Sequence, residues 1–303
     1  MNKRIPKEKE EFRSGFIAII GAPNAGKSTL LNQMLKSKIS ITSKKPQTTR
    51  NRILGIVHRS RSQLIFLDTP GIHKAGNPLN KRIVDVALST LGDVDLILFM
   101  TDISHPDPEA EKIMIQKLKE RKIPVVLALN KIDRIKKPVI LSHIEKWSGL
   151  ALFDAVVPIS AKMGDQVDAL MKALEKALPK GPPLFPENSL TDMPERFFVA
   201  EMIREKVFRL TGQEIPYSVA VTIDAFKEEK KGAIVKIHAT IHVERASQKG
   251  IVIGKRGTKL KQIGEDARKA IEKMIGTRVF LKLFVRVQKN WSKDTRALRK
   301  FGY

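Results

Sequence analysis

GFIAIIGAPNAGKSTLLNQML, Gly15 to Leu35, is the stretch that decides the fold. An apolar, β-rich run ends at Gly21, the pattern GAPNAGKS follows from Gly21 to Ser28, and Leu30, Leu31 and Leu35 then recur at helical spacing as core positions. GxxxxGK[ST] between a strand and a helix is a phosphate cradle, because successive backbone N–H groups and the positive end of the helix dipole converge on an anion. Gly21, Ala22, Pro23, Asn24, Ala25 and Gly26 would wrap the phosphates of a nucleotide. Lys27 would reach the β and γ oxygens and Ser28, with Thr29 beside it, would meet Mg²⁺. A plain glycine turn before a helix could show the same pattern, so its companions matter.

DTPG, made of Asp68, Thr69, Pro70 and Gly71, follows the apolar run QLIFL. There a carboxylate can hold Mg²⁺ through water and the Gly71 N–H can meet a γ-phosphate. NKID ends the run PVVLALN and places Asn130, Lys131 and Asp133 at the mouth of a sheet. The Asp133 carboxylate suits the two N–H donors on the Watson–Crick edge of guanine; adenine offers no such pair, and an acceptor left unpaired rejects the wrong base. SAK (Ser160, Ala161, Lys162) follows AVVPIS and can direct the Ala161 N–H at guanine O6. Between the first two motifs, KKPQTTRNR offers a threonine to sense the γ-phosphate through Mg²⁺, with Thr49 favoured over Thr48. The catalytic candidates are Lys27, Thr49, Gly71 and Asn24, the metal ligands Ser28, Thr49 and Asp68.

Apolar runs alternate with helical stretches from Gly15 to about Leu178, which implies a mostly parallel sheet with helices on both faces. The proline-bearing run Pro179 to Glu195 reads as a stiff extended connector. Beyond it the grammar changes to a helix, two alternating strands joined by KEEKKG, a helical pair and a last strand, so an antiparallel α+β domain is expected. The divisions are a basic tail over 1–13, a nucleotide domain over 14–180, a linker over 181–196 and a second domain over 197–303.

Lys and Arg number 56 against 32 Asp and Glu, a formal charge of +24. From Lys230 to Tyr303 alone, 20 cations stand against 5 anions, a net +15. A polyanion is therefore expected at the C-terminal end, nucleic acid first and an acidic membrane surface second. Here lies a second glycine loop, Gly254-Lys255-Arg256-Gly257, too short for a nucleotide and without a following Ser or Thr for Mg²⁺. A GxxG between two helices resembles the KH domain of the prokaryotic, type II arrangement, whose loop approaches the backbone of about four unpaired nucleotides. Lys255 and Arg256 would neutralise phosphates, Lys259 would add charge, and Ile251, Val252, Ile253 and Ile263 would floor an apolar groove. Trp291, near the end, is as suited to anchoring a core as to stacking a base, and His238 and His242 are expected to face solvent.

In order and at strand ends, the four nucleotide motifs resemble the GTPase family of P-loop proteins. Asn24, the TTR of the intervening segment and Ile72 directly after DTPG narrow that to the bacterial Era/TrmE branch. Ile72 stands where Ras-like members carry a water-orienting glutamine, so intrinsic turnover should be slow or otherwise assisted. In that branch the asparagine is associated with K⁺ beside the phosphates; an Asn24 that merely satisfies the loop backbone is the alternative. With the type II KH domain, REK at Arg204 to Lys206, IPYSVAV and RALRKFGY, nearly the whole chain is similar to Era-type ribosome-assembly GTPases. The resemblance implies GTP hydrolysis to GDP with Mg²⁺, and the 3′ end of 16S rRNA and the maturing 30S subunit as partners. It also implies peripheral contact with the cytoplasmic membrane; a monomer is expected. A GTP-gated RNA or membrane-surface scaffold whose hydrolysis is incidental is the rival, favoured by Ile72. The lack of cysteine excludes disulfides and thiolate metal sites, and together with an N-terminal MNKRIPKEKEEF without an apolar core it suits the cytoplasm.

Overall fold

A computed structural model of the chain describes residues 11–41, 52–68, 94–211, 215, 219–229 and 234–301. Six strands, β1 (Arg13–Gly21), β2 (Ile53–Arg59), β3 (Ser62–Asp68), β4 (Leu96–Asp102), β5 (Val125–Asn130) and β6 (Ala155–Ile159), make one sheet in the order β2-β3-β1-β4-β5-β6. All neighbours are parallel except β2, which runs against β3. Ile17 and Ile19 of β1 enter one core while Ala18 and Ile20 enter another, and β3 splits Leu64 and Phe66 from Ile65 and Leu67 in the same way. Strands buried on both faces therefore read as unbroken apolar runs.

Helices α1 (Lys27–Leu35), α2 (Pro108–Lys119), α3 (Lys137–Ser148) and α4 (Val167–Ala177) cover the sheet. Leu30 and Leu31 of α1 and Leu170 and Leu174 of α4 fill the first core; Met114 and Leu118 of α2 and Trp147 of α3 fill the second. Because β1 lies between β3 and β4, the chain leaves it first to one side and then to the other. A crevice opens where the order reverses, beyond the carboxyl ends of the strands.

The proline-rich stretch, expected as a spacer, is fastened down. Gln63, almost fully buried, accepts the Leu184 and Phe185 N–H groups at 2.7 and 2.9 Å and donates to the Phe185 carbonyl at 2.7 Å. The Ile56 N–H of edge strand β2 donates to the Leu190 carbonyl at 2.9 Å. Proline brings no N–H of its own, so the non-proline positions between carry these bonds, and they cover an edge that would otherwise stand open.

The second unit contains α5 (Glu195–Leu210), β7 (Ala220–Glu228), β8 (Ile234–Val243), α6 (Ala246–Ile253), α7 (Thr258–Ile275), β9 (Arg278–Val287) and α8 (Thr295–Lys300). β7 and β8 are antiparallel, with a bulge near Ile223, but β9 runs parallel to β8. The sheet is thus mixed, not antiparallel as expected, because the α6–α7 pair carries the chain back across the sheet before β9 begins. Val235, Ile237, Ala239 and Ile241 of β8 face Val199 and Ile203 of α5 and Ile263 and Ile271 of α7.

One open alternative about side chains is settled here and one expectation changes. Trp291 is fully buried with Ala220, Leu298 and Phe301, so it anchors the C-terminal segment and offers no base a platform. His242 is only 6% exposed: its ring lies 4.5 Å from that of Phe301 and 2.9 Å from the Thr222 hydroxyl, whereas solvent exposure was expected. The C-terminal segment folds over a strand position that alternation alone assigns to water.

The two units touch through α5. Phe198 is buried in the core of the first unit, and the Lys38 ammonium lies 2.6 Å from the fully buried Glu205 carboxylate, which Arg209 also pairs. Arg204 of the same helix is buried against Glu201 at 2.7 Å. Charges at this depth persist only when paired. Among the described residues, no helix is long and apolar enough to cross a membrane.

Candidate functional site

β1 delivers its last residue hard against β4: a Cβ on Gly21 would lie 2.3 Å from the Met100 carbonyl oxygen. Gly26 adopts φ +105°, and a Cβ there would lie 2.3 Å from Asn130 Nδ2. Both positions require glycine for space, and Gly26 for conformation as well. Asn24, at φ +63°, is exposed and sits in the left-handed region that asparagine tolerates. α1 begins at Lys27 with no acidic residue in its first turn and no side-chain cap, so its N–H groups and dipole remain available to an external anion.

Lys27 is 7% exposed and donates to the Gly21 and Ala22 carbonyls, each at 2.9 Å. Burial pushes its ammonium pKa down to about 8, against the opposing pull of the Asp68 carboxylate. Asp68, at the carboxyl end of β3, is fully buried and accepts hydrogen bonds from Ser28 at 2.8 Å and Ser40 at 2.9 Å. No motif marks Ser40. Asn32 of α1 holds it in place by accepting its N–H at 2.9 Å and donating to its carbonyl at 2.7 Å. Hydroxyl and carboxylate oxygens meeting at the mouth of the phosphate loop are a hard donor set that fits Mg²⁺. Thr48, Thr49, Thr69, Pro70, Gly71 and Ile72 lie outside the described residues.

At the far end of the crevice, Asn130 joins two loops. Its Nδ2 donates to the Ala25 carbonyl at 2.7 Å, and its Oδ1 accepts the Ala161 N–H at 2.9 Å. The N–H that the sequence directs at guanine O6 is thus engaged by Asn130, because the buried amide needs an acceptor's partner as much as a donor's. Lys131, at φ +70°, ion-pairs with Asp102 at the end of β4. Burial pushes the Asp102 carboxyl up, but hydrogen bonds from Lys131 and Ser104 outweigh it and hold the pKa below the usual carboxylate range. Asp133 is exposed to the crevice and accepts the Ser160 hydroxyl at 2.7 Å, which aims one carboxylate oxygen and leaves acceptor capacity over. Ser160 in turn is fixed by the Met163 N–H at 3.1 Å. Residues from six separate stretches, the last of them 160–163, therefore meet beyond the carboxyl ends of the strands.

The second loop is built differently. α6 ends at Gly254, φ +73°, where a Cβ would lie 2.7 Å from that of Lys259. Arg256 and Gly257 stand at φ +51° and +78°, and around Gly257 no atom approaches within 4 Å of a Cβ position. Lys255 and Arg256 are exposed. Ile251 and Ile253 reach the surface, with Ile251 45% exposed, but Val252 and Ile263 are fully buried in the core of the unit. These two cannot floor a groove; residues 251–253 form the last turn of a helix, and one face of that turn must pack inward.

Comparison with known proteins matches residues 16–131 to the family of 50S ribosome-binding GTPases and residues 214–292 to the KH domain. GTPase Era of Geotalea uraniireducens is 54% identical over 295 residues, spanning 97% of this chain and 99% of that protein. GTPase Era of Geobacter metallireducens is 54% identical over 292 residues, 96% of this chain and 98% of that one. A crystal structure of Aquifex aeolicus Era bound to GDP and AlF4⁻ superimposes with a TM-score of 0.92 at 40% identity, covering 96% of this chain and 99% of that one. An Era structure in complex with MgGDPNP and nucleotides 1506–1542 of 16S ribosomal RNA gives the same TM-score at 41% identity and the same coverage.

Proposed function

This chain belongs to the Era family of GTPases, and we propose from that premise that it hydrolyses GTP in the first cradle while the second grips the 3′ end of 16S rRNA in the maturing 30S subunit. The observation that supports this most is the convergence of Lys27, Ser28 with Asp68, and Asp133 with Ser160 at the carboxyl ends of adjacent strands, in a crevice whose rim is amide and carboxylate. The Gly21–Lys27 loop and the N-terminus of α1 hold the β and γ phosphates, and Lys27 leaves its carbonyl partners for them. Mg²⁺, held by Ser28, Asp68 and Thr49, supplies positive charge to the oxygens on which negative charge develops. Gly71 offers its N–H to the γ-phosphate.

Asp133 reads the guanine edge, and Asn130 holds the 160–162 loop against the phosphate cradle. The test is Asp133→Asn, which replaces an acceptor by a donor. GTP affinity should fall roughly a hundredfold or more, since hydrogen bonds to a charged group are worth about 1.5–3 kcal/mol each, and xanthosine triphosphate should bind the variant better than the parent. Unchanged GTP affinity would place the base elsewhere.

Ile72 cannot orient the attacking water, and Asn24 is exposed on the phosphate loop in the left-handed conformation that asparagine tolerates. Asn24 would hold K⁺ beside the phosphates, and the ion would supply the charge that compensates. Single-turnover hydrolysis in KCl should then exceed that in NaCl, and equal rates would remove the ion from the mechanism. The GKRG loop takes the RNA backbone, with Lys255, Arg256 and the added charge of Lys259 at phosphates and Ile251 and Ile253 along the bases.

A further inference from the structure

The outer face of the second sheet serves neither cradle. Along β9, Val279, Leu281, Leu283, Val285 and Val287 pack into the core, so Arg278, Phe280, Lys282, Phe284 and Arg286 point the opposite way. Phe280 and Phe284 are 52% and 45% exposed, and among the described residues they are the aromatic members of the exposed large apolar side chains. Strand geometry sets them about 13 Å apart, with the Lys282 ammonium 5.2 Å from the Phe284 ring centroid. Arg278, Lys282 and Arg286 form no ion pair with a described residue, whereas Lys236 is paired with Glu229 and Arg268 with Glu272. The neighbouring strand places Lys236, His238 and Thr240 beside Phe280, Lys282 and Phe284. The C-terminal segment covers the other side of this face, where Phe301 lies over His242 and Trp291 against Ala220. What remains open is aromatic and largely cationic: the exposed Asp224 carboxylate accepts the Thr240 hydroxyl at 2.6 Å, and Glu229 is paired with Lys236.

A second copy of the chain would set the same three cations against each other, and an apolar partner would have to desolvate them. A single-stranded polyanion with π-faced units suits both features at once: bases stack on exposed rings whatever their sequence, and cations follow the phosphates. We propose that this face is a second RNA platform, on which bases beyond the GKRG groove stack on Phe280 and Phe284 while Arg278, Lys282 and Arg286 meet the backbone. A groove of the GKRG kind holds about four nucleotides, so a longer strand needs further footing. Both helices that flank GKRG pack on β9, so groove and platform share one strand. The platform rests on the RNA reading of this unit, but the two can fail separately.

The experiment uses the full chain and two single-stranded RNAs from the 3′ end of 16S rRNA, one of about four nucleotides and one of about fifteen. Phe280→Ala with Phe284→Ala should weaken the longer RNA roughly ten- to hundredfold and leave the shorter one unchanged; Phe280→Tyr with Phe284→Tyr should restore it. Both positions are exposed, and unaltered melting temperature and GTP hydrolysis confirm a folded variant. Loss of the short RNA in Gly257→Asp tests the groove independently. If the alanine pair keeps full affinity for the longer RNA while Gly257→Asp still weakens the short one about ten- to hundredfold, the platform is wrong and the groove stands. If the alanine pair instead loses only binding to phosphatidylglycerol vesicles, a membrane is the occupant and the platform is overturned.

Discussion

The two glycine loops solve opposite problems with the same residue. In the first, glycine makes room inside the protein: Gly21 lies against the Met100 carbonyl, Gly26 against Asn130, and Lys27 is buried with its pKa depressed. In the second, glycine keeps the outside clear: Gly257 has no atom near its Cβ position, and Lys255 and Arg256 stand in solvent. An enclosed, partly desolvated cradle binds through directed, charge-assisted hydrogen bonds and can reject the wrong ligand by leaving groups unpaired. An open one binds through counterion release, so it is tolerant, rapid and sensitive to salt.

The sharpest way to break this contrast is Lys27→Ala. Removing a buried cation proposed to face phosphates should cost about 3–5 kcal/mol, roughly two to four orders of magnitude in GTP affinity by calorimetry, with RNA binding intact. Gly257→Asp should weaken RNA binding about ten- to hundredfold by closing the backbone approach and repelling phosphate, with GTP binding intact. In the parent, log affinity for single-stranded RNA should fall with log salt by about 0.7 per phosphate contacted. A flat salt profile would mean that the open loop does not work by charge.

The smallest expected effect is that of pH. Lys27 must be charged to hold phosphate, and its pKa in the free protein is about 8 instead of 10.5. Bound phosphates raise it again, so nucleotide binding takes up a proton. Affinity should be full below pH 8 and decline by up to tenfold per unit as pH rises through that value. Proton uptake is measured by titration calorimetry in buffers of different ionisation enthalpy; none at pH 8 would mean that Lys27 is already charged before the ligand arrives.

The sequence separates what was legible from what was not at particular residues. The strand ends carrying Gly21, Asp68, Asn130 and Ser160 were readable because a parallel strand buried on both faces leaves an apolar run that must stop where its loop begins. Val252 and Ile263 were misplaced because an apolar residue beside a helix turn has the same periodicity whether it faces a ligand or the core. His242 was misplaced because strand alternation names two faces but not what later folds over one of them. Ser40, Gln63 and the Lys38–Glu205 pair carry no motif; each acts through a partner far along the chain.

By itself, then, the sequence determined which chemistry was on offer: glycine loops of two spacings, a carboxylate that we propose selects guanine and a basic second half, all written in residue type and local order. Only the tertiary structure decided occupancy and direction. Ala161 points its N–H at Asn130, the linker lies along β2 and β3, and β9 turns Phe280 and Phe284 outward. Local order fixes which groups a chain possesses, but a hydrogen bond or a buried face has two sides, and the second side is supplied by whichever distant segment packs there.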